Sequence, residues 1–137
     1  MSDTVRVFNP PSGSPTGMYS HVAIAEAGRL AFIAGQLAVD AKGELIAPGD
    51  IAGQIPAVYD SIGRILKDLG ADFSAVVQFT TYVVGSDKLE AFQKGRAQVY
   101  ARIFPDKRYP PNTLLVISGL ARPGALLEVS AIARLPD

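Results

Sequence analysis

The sequence predicts an α+β fold: one domain with a mixed β-sheet of about six strands and two helices packed on one face. Two stretches repeat apolar residues every three or four positions, as amphipathic helices do. The other apolar segments are short and rich in β-branched and aromatic residues, as strands are. Several of these strands are apolar at successive positions, so both faces of the sheet need burial. A length of 137 residues with 48% hydrophobic and 19% charged residues fits one folded domain spanning 1–137 and excludes a disordered chain.

Residues 1–18 read as an N-terminal arm. Asn9-Pro10-Pro11-Ser12-Gly13-Ser14-Pro15-Thr16-Gly17 is so dense in turn formers that no regular element is expected before Tyr19. Val22 to Ala25 and Leu30 to Ala34 suit the two strands of a hairpin, with Glu26-Ala27-Gly28-Arg29 as its turn. Gly35 interrupts the second strand, which marks either a bulge or the close approach of another group. Asp40-Ala41-Lys42-Gly43 is a further turn.

Ile51, Ile55, Val58, Ile62, Ile65, Leu66 and Leu69 share one helical face between Asp50 and Gly70. Gly70 is placed as the C-terminal cap, and Pro56 predicts a kink or a late start. Val76 to Val84 is the next strand. Ser86 or Asp87 is then an N-cap, with Glu90 completing a capping box with Asp87. The second helix carries Leu89, Phe92, Val99, Tyr100, Ile103 and Phe104 on one face and ends near Pro105. Arg96 falls in that stripe, its stem packed and its head reaching solvent, a partner or a ligand. Thr113 to Ser118 and Leu126 to Ala133 close the order ββ-α-β-α-ββ. Two helices cover one face of such a sheet, so the other is expected to pack against identical subunits.

Composition narrows the chemistry. Without cysteine there is no thiol nucleophile and no cysteine metal site, and with His21 as the only histidine no cluster of imidazole ligands forms within one chain. His21 reads as a cleft-wall residue or a base. Zero net charge lacks the basic footprint of phosphate-backbone binding, although residues 1–87 carry −4 and residues 88–137 carry +4. No stretch approaches the roughly 20 apolar residues of a membrane span, and the start lacks a signal-peptide core, so a cytoplasmic location is expected. No phosphate loop or nucleophile elbow is present. Glu128 is the most unusual side chain, a carboxylate flanked by Leu126, Leu127 and Val129. It lies either at an edge or in a working site, where it would accept a proton from water and return one to a leaving group.

Five segments in order resemble the RidA/YjgF family: Gly17-Met18-Tyr19-Ser20, Phe32-Ile33-Ala34-Gly35-Gln36-Leu37, Gly49-Asp50-Ile51, Pro111-Asn112-Thr113 and Glu128-Val129-Ser130-Ala131-Ile132-Ala133. The resemblance implies a chorismate-mutase-like fold and a homotrimer with a ligand cleft at each subunit interface. It also implies hydrolysis of enamines and 2-imino acids to 2-oxo acids and ammonia, without a cofactor. It assigns catalysis to Glu128 and to Tyr19 of the neighbouring chain, and substrate binding to Asn112, Thr113, Leu114, Gly35 and Ala34. The family's carboxylate-gripping arginine is replaced by Asn112, and a serine and a proline of the pocket wall by Ala34 and Ala38. An asparagine offers two amide donors and no charge. Charge-assisted hydrogen bonds are worth roughly 1.5–3 kcal/mol each, so capture of a carboxylate weakens at least about tenfold. Arg96, Arg108 and Arg122 are candidates for a replacement cation, and each also reads as an ordinary helix, loop or turn charge. The expected ligand is a small imine, enamine or carbonyl metabolite. A non-catalytic ligand sensor or protein-binding module is the alternative, and ribonuclease activity is disfavoured by the charge and by the single histidine.

Overall fold

The computed structural model describes residues 4–137; the first three residues of the expected arm lie outside the described residues. Its elements are β1 (Val5–Phe8), β2 (Val22–Ala25), β3 (Leu30–Gln36), α1 (Ile51–Asp68), β4 (Val76–Val84), α2 (Leu89–Ile103), β5 (Asn112–Ile117) and β6 (Leu127–Arg134). The six strands divide into a two-stranded ribbon, β1-β2, and a mixed four-stranded sheet in the order β3-β6-β4-β5. β4 and β5 run parallel and the other pairs antiparallel.

Two expectations are corrected at the start of the chain. A strand, β1, does precede Tyr19, because Val5-Arg6-Val7-Phe8 finds a partner across the turn-rich loop, with Val5 opposite Ala25. The hairpin expected between β2 and β3 does not form. The Arg134 guanidinium donates to the carbonyls of Glu26 and Ala27 and lies so close that a Cβ on Gly28 would overlap it. The would-be turn is thus bound to the end of β6, and β3 pairs with β6 instead.

α1 starts at Ile51 despite Pro56, so the late start does not occur, and Pro56 sits in the second turn. The C-terminus closes as a Schellman motif. Gly70 adopts φ +76°, its N–H donates to Lys67, and the Ala71 N–H donates to Leu66. The capping box expected before α2 is absent. A short 3-10 turn over Ser86–Lys88 leads in, with no side-chain cap hydrogen bond, because Gly85 at φ +82° redirects the chain there. Both helices cover the same side of the sheet. Ile55, Val58, Tyr59, Ile62 and Leu66 meet Phe92, Tyr100, Phe79, Val83, Leu127 and Val129 in one core. Aromatic edges tighten it, the Tyr100 and Phe104 rings lying 4.9 Å apart.

Candidate functional site

Alternation along β6 sorts its side chains. Leu127, Val129, Ala131 and Ala133 are buried towards the helices, so Glu128, Ser130 and Ile132 lie on the open side. Register extends this face. Glu128 is opposite Tyr82 on β4, and Tyr82 is beside Leu115 on β5; Ser130, Thr80 and Thr113 form the next row. Phe32, opposite Ile132, is 73% exposed, and Leu30 is 49% exposed on the same strand.

The break in β3 resolves the two sequence readings of Gly35 into one structure. Pairing with β6 shifts between Ile33 and Gln36, which is a bulge, and a Cβ on Gly35 would overlap the Glu128 carboxylate. Only a glycine admits that carboxylate to the sheet surface at this point. The bulge is fixed from α1: Ser61 Oγ donates to Gln36 Oε1 at 2.8 Å, and Gln36 Nε2 donates to the Ala34 carbonyl at 2.9 Å.

Gln54 is a second support that the sequence pattern missed. Fully buried, it donates to the carbonyls of Ala47 and Gly124 at 3.0 and 2.8 Å and accepts from the Leu126 N–H at 2.9 Å. It thereby holds the residues just before Glu128. The available signal was a polar side chain inside the apolar stripe of α1.

Not all predicted site residues gather here. Glu128, Gly35 and Thr113 share the open side, with Ala34 next to the bulge. Asn112 pairs with Phe79 and so points towards the helix side, where Thr81 Oγ donates to its Oδ1 at 2.7 Å; its amide N–H donors are left over. The Leu114 side chain packs against the core on that same side. Tyr19 belongs to the long loop after β1. Its hydroxyl is hydrogen-bonded to Thr16, which lowers its pKa below the usual tyrosine value, and its ring lies 5.8 Å from that of His21. His21 is tied to the same loop, its N–H donating to Asn9 Oδ1.

The three candidate arginines are engaged elsewhere. Arg122 donates to the Gly43 carbonyl and faces Glu44, Arg108 donates to the Val5 carbonyl, and Arg96 is buried over the rings of Phe92 and Tyr100. Among the described residues no group of three or more His, Asp or Glu side chains gathers that could hold a metal ion. A cavity of about 290 Å³ is lined by Val5, Val7, Phe73, Phe104 and the candidate cation Arg108, and none of Glu128, Tyr19, Asn112, Thr113, Leu114, Gly35 or Ala34 lines it. Within one chain, Glu128 sits on an open sheet face with apolar neighbours.

Residues 11–135 match the family described as Endoribonuclease L-PSP. The chain belongs to this family, that of the Rid proteins. It is similar to the Rid-family protein YyfB of Yersinia pestis, with a TM-score of 0.85 and 32% identity, covering 96% of this chain and 99% of that one. It is 28% identical over 125 residues to the 3-aminoacrylate deaminase RutC of Acinetobacter baylyi, covering 91% of this chain and 94% of that protein. It is also 30% identical over 136 residues to the 2-iminobutanoate/2-iminopropanoate deaminase of Bos taurus, covering 97% and 93%. The RidA-like segments read from the sequence fall on the Rid fold, Gly35-Gln36 on its bulge and Glu128 on its last strand.

Proposed function

We propose that this Rid protein is a homotrimer that binds a small imine, enamine or carbonyl metabolite in a cleft between subunits and hydrolyses C=N bonds. Glu128 takes a proton from water as the oxygen attacks the imine carbon and passes it to the nitrogen, giving a carbinolamine. It then takes the carbinolamine hydroxyl proton and delivers it to the nitrogen as the C–N bond breaks, releasing ammonia and the carbonyl product. The single observation behind this reading is the glycine bulge packed beneath the Glu128 carboxylate on an open face with exposed apolar neighbours. A flat face on one chain becomes a cleft when another covers it, and Phe32 and Leu30 supply apolar area for that contact. In the trimer, Tyr19 of an adjoining subunit would face Glu128, and its Thr16-lowered pKa suits a hydroxyl that shares protons. Thr113 and the backbone beside Gly35 and Ala34 would hold the ligand. Half-buried Asn112, fixed through its oxygen by Thr81, would offer its amide donors at the sheet edge.

The deaminase names of the relatives support the reaction class. The engaged arginines favour a substrate bound by hydrogen bonds rather than through a carboxylate. Ammonia release from 2-iminopropanoate and from imines that lack a carboxylate is the test. Wild type should exceed Glu128→Ala and Gly35→Ala, whose methyl group displaces the carboxylate; equal rates in all three overturn the catalytic role. A second reading, a non-catalytic metabolite sensor using the same cleft, is favoured by the missing cation, and tight metabolite binding without turnover would establish it. A solution mass equal to the monomer removes the cleft from both readings.

A further inference from the structure

Opposite the Glu128 face, inside the helix layer, lies a polar cluster that the proposed reaction does not use. Arg96 on α2 is only 6% exposed, Tyr59 on α1 1%, and Tyr100 on α2 0%. The guanidinium stacks 5.1 Å from the Phe92 ring and 5.5 Å from the Tyr100 ring, and the Tyr59 ring lies 5.8 Å from that of Tyr100. Among the described residues no carboxylate pairs with Arg96. Arg96 Nε is buried without a hydrogen-bond partner, and the buried hydroxyls of Tyr59 and Tyr100 have no polar partner beyond their contact with each other.

A buried charge without a counter-ion is costly, and aromatic faces offset only part of that cost. Neither phenol can supply the missing negative charge. Burial pushes the Tyr100 hydroxyl up to about 12 and that of Tyr59 well above the usual value, so both remain neutral donors. The cluster therefore offers one positive charge, the free Arg96 Nε–H and a pair of phenols joined only to each other, and no anionic acceptor. Tyr59 also lines a shallow surface cavity rimmed by Arg64, Lys67 and Arg102 against one carboxylate, Asp60, so the field over this part of the helix layer favours anions.

We infer that Arg96, Tyr59 and Tyr100 form a binding site for one small anion, of the size of chloride or formate, between α1 and α2. The anion would accept from the guanidinium and from both phenols, and its binding would couple to the stability of the helix layer rather than to turnover at Glu128.

Thermal unfolding of the full chain at constant ionic strength, with sodium chloride replacing sodium gluconate, tests this. Wild-type Tm should rise saturably with chloride, Arg96→Met should show no chloride dependence, and Tyr59→Phe/Tyr100→Phe should need about tenfold more chloride for half the effect. Arg64→Gln, on the rim alone, should keep the wild-type response; losing it would place the anion at the surface and overturn the proposal. So would a wild-type Tm indifferent to chloride, or a wild-type response retained by Arg96→Met. Should Arg96→Met fail to fold, an unchanged half-effect concentration in the double tyrosine variant is equally fatal. In bromide-soaked crystals, anomalous density among the three side chains supports the site, and density of water alone refutes it.

Discussion

The two sides of the four-stranded sheet are built from the same strands and have opposite fates. On the helix side, Phe79, Val83, Leu127 and Val129 are closed over by α1 and α2 within one chain. On the other side, Phe32 and Leu30 remain exposed farther along the face that carries Glu128, the bulge and Thr113. Successive residues of a strand alternate between these settings, so one sequence segment encodes a self-sufficient core and the open face that carries the proposed site. Stability belongs to the first side and the proposed chemistry to the second, which makes the two separable by mutation.

The largest effect is expected on the closed side. Phe79→Ala empties the centre of the aromatic cluster and should cost about 4 kcal/mol, read by denaturant unfolding, without a change in assembly of the molecules that remain folded. A loss below about 1 kcal/mol would show that the helix side is not the main source of stability.

Alkaline pH acts on the same side with a slightly smaller effect. The unfolded chain releases the Tyr100 proton near pH 10, the folded chain near 12, so stability is complete below pH 10 and falls as pH rises between the two values. Tyr100 alone accounts for about 3 kcal/mol over that interval. Unfolding midpoints followed from pH 9 to 12 should fall more steeply in wild type than in Tyr100→Phe, and parallel curves would show that burial of this phenol is not coupled to folding.

The smallest effect on the lone chain, and the sharpest contrast, is expected from Phe32→Ser. This side chain contributes little to the monomer's core, so unfolding of the isolated chain should move by no more than about 0.5 kcal/mol, while the solution mass falls towards that of one chain. If Phe32→Ser destabilised the monomer as Phe79→Ala does, the two sides would not be distinct.

Periodicity alone located both helices, because Ile55, Val58 and Ile62 on α1 and Phe92, Val99 and Tyr100 on α2 recur at helical spacing and are buried as that spacing requires. The capping glycine at Gly70 was equally legible, since a left-handed residue after a helix strongly favours glycine. Strand partners were not. The choice of β1 over β3 as the partner of β2 rests on Arg134, over a hundred residues away, gripping the Glu26 and Ala27 carbonyls. In the site, the unusual setting of Glu128 and the interruption at Gly35 were both visible as local anomalies. Their contact was not, because a bulge and an antiparallel register join positions far apart in the chain.

The sequence by itself determined the α+β class, the helical faces, the RidA-like segments and a sheet too apolar for two helices to cover, since each follows from local spacing and composition. Tertiary structure alone decided that Gly35 makes room for Glu128, that Gln54 and Ser61 brace that arrangement from α1, and that Asn112 turns towards Thr81. Those outcomes depend on strand register and side-chain reach across long sequence separations, where a shift of one residue exchanges the two faces of the sheet.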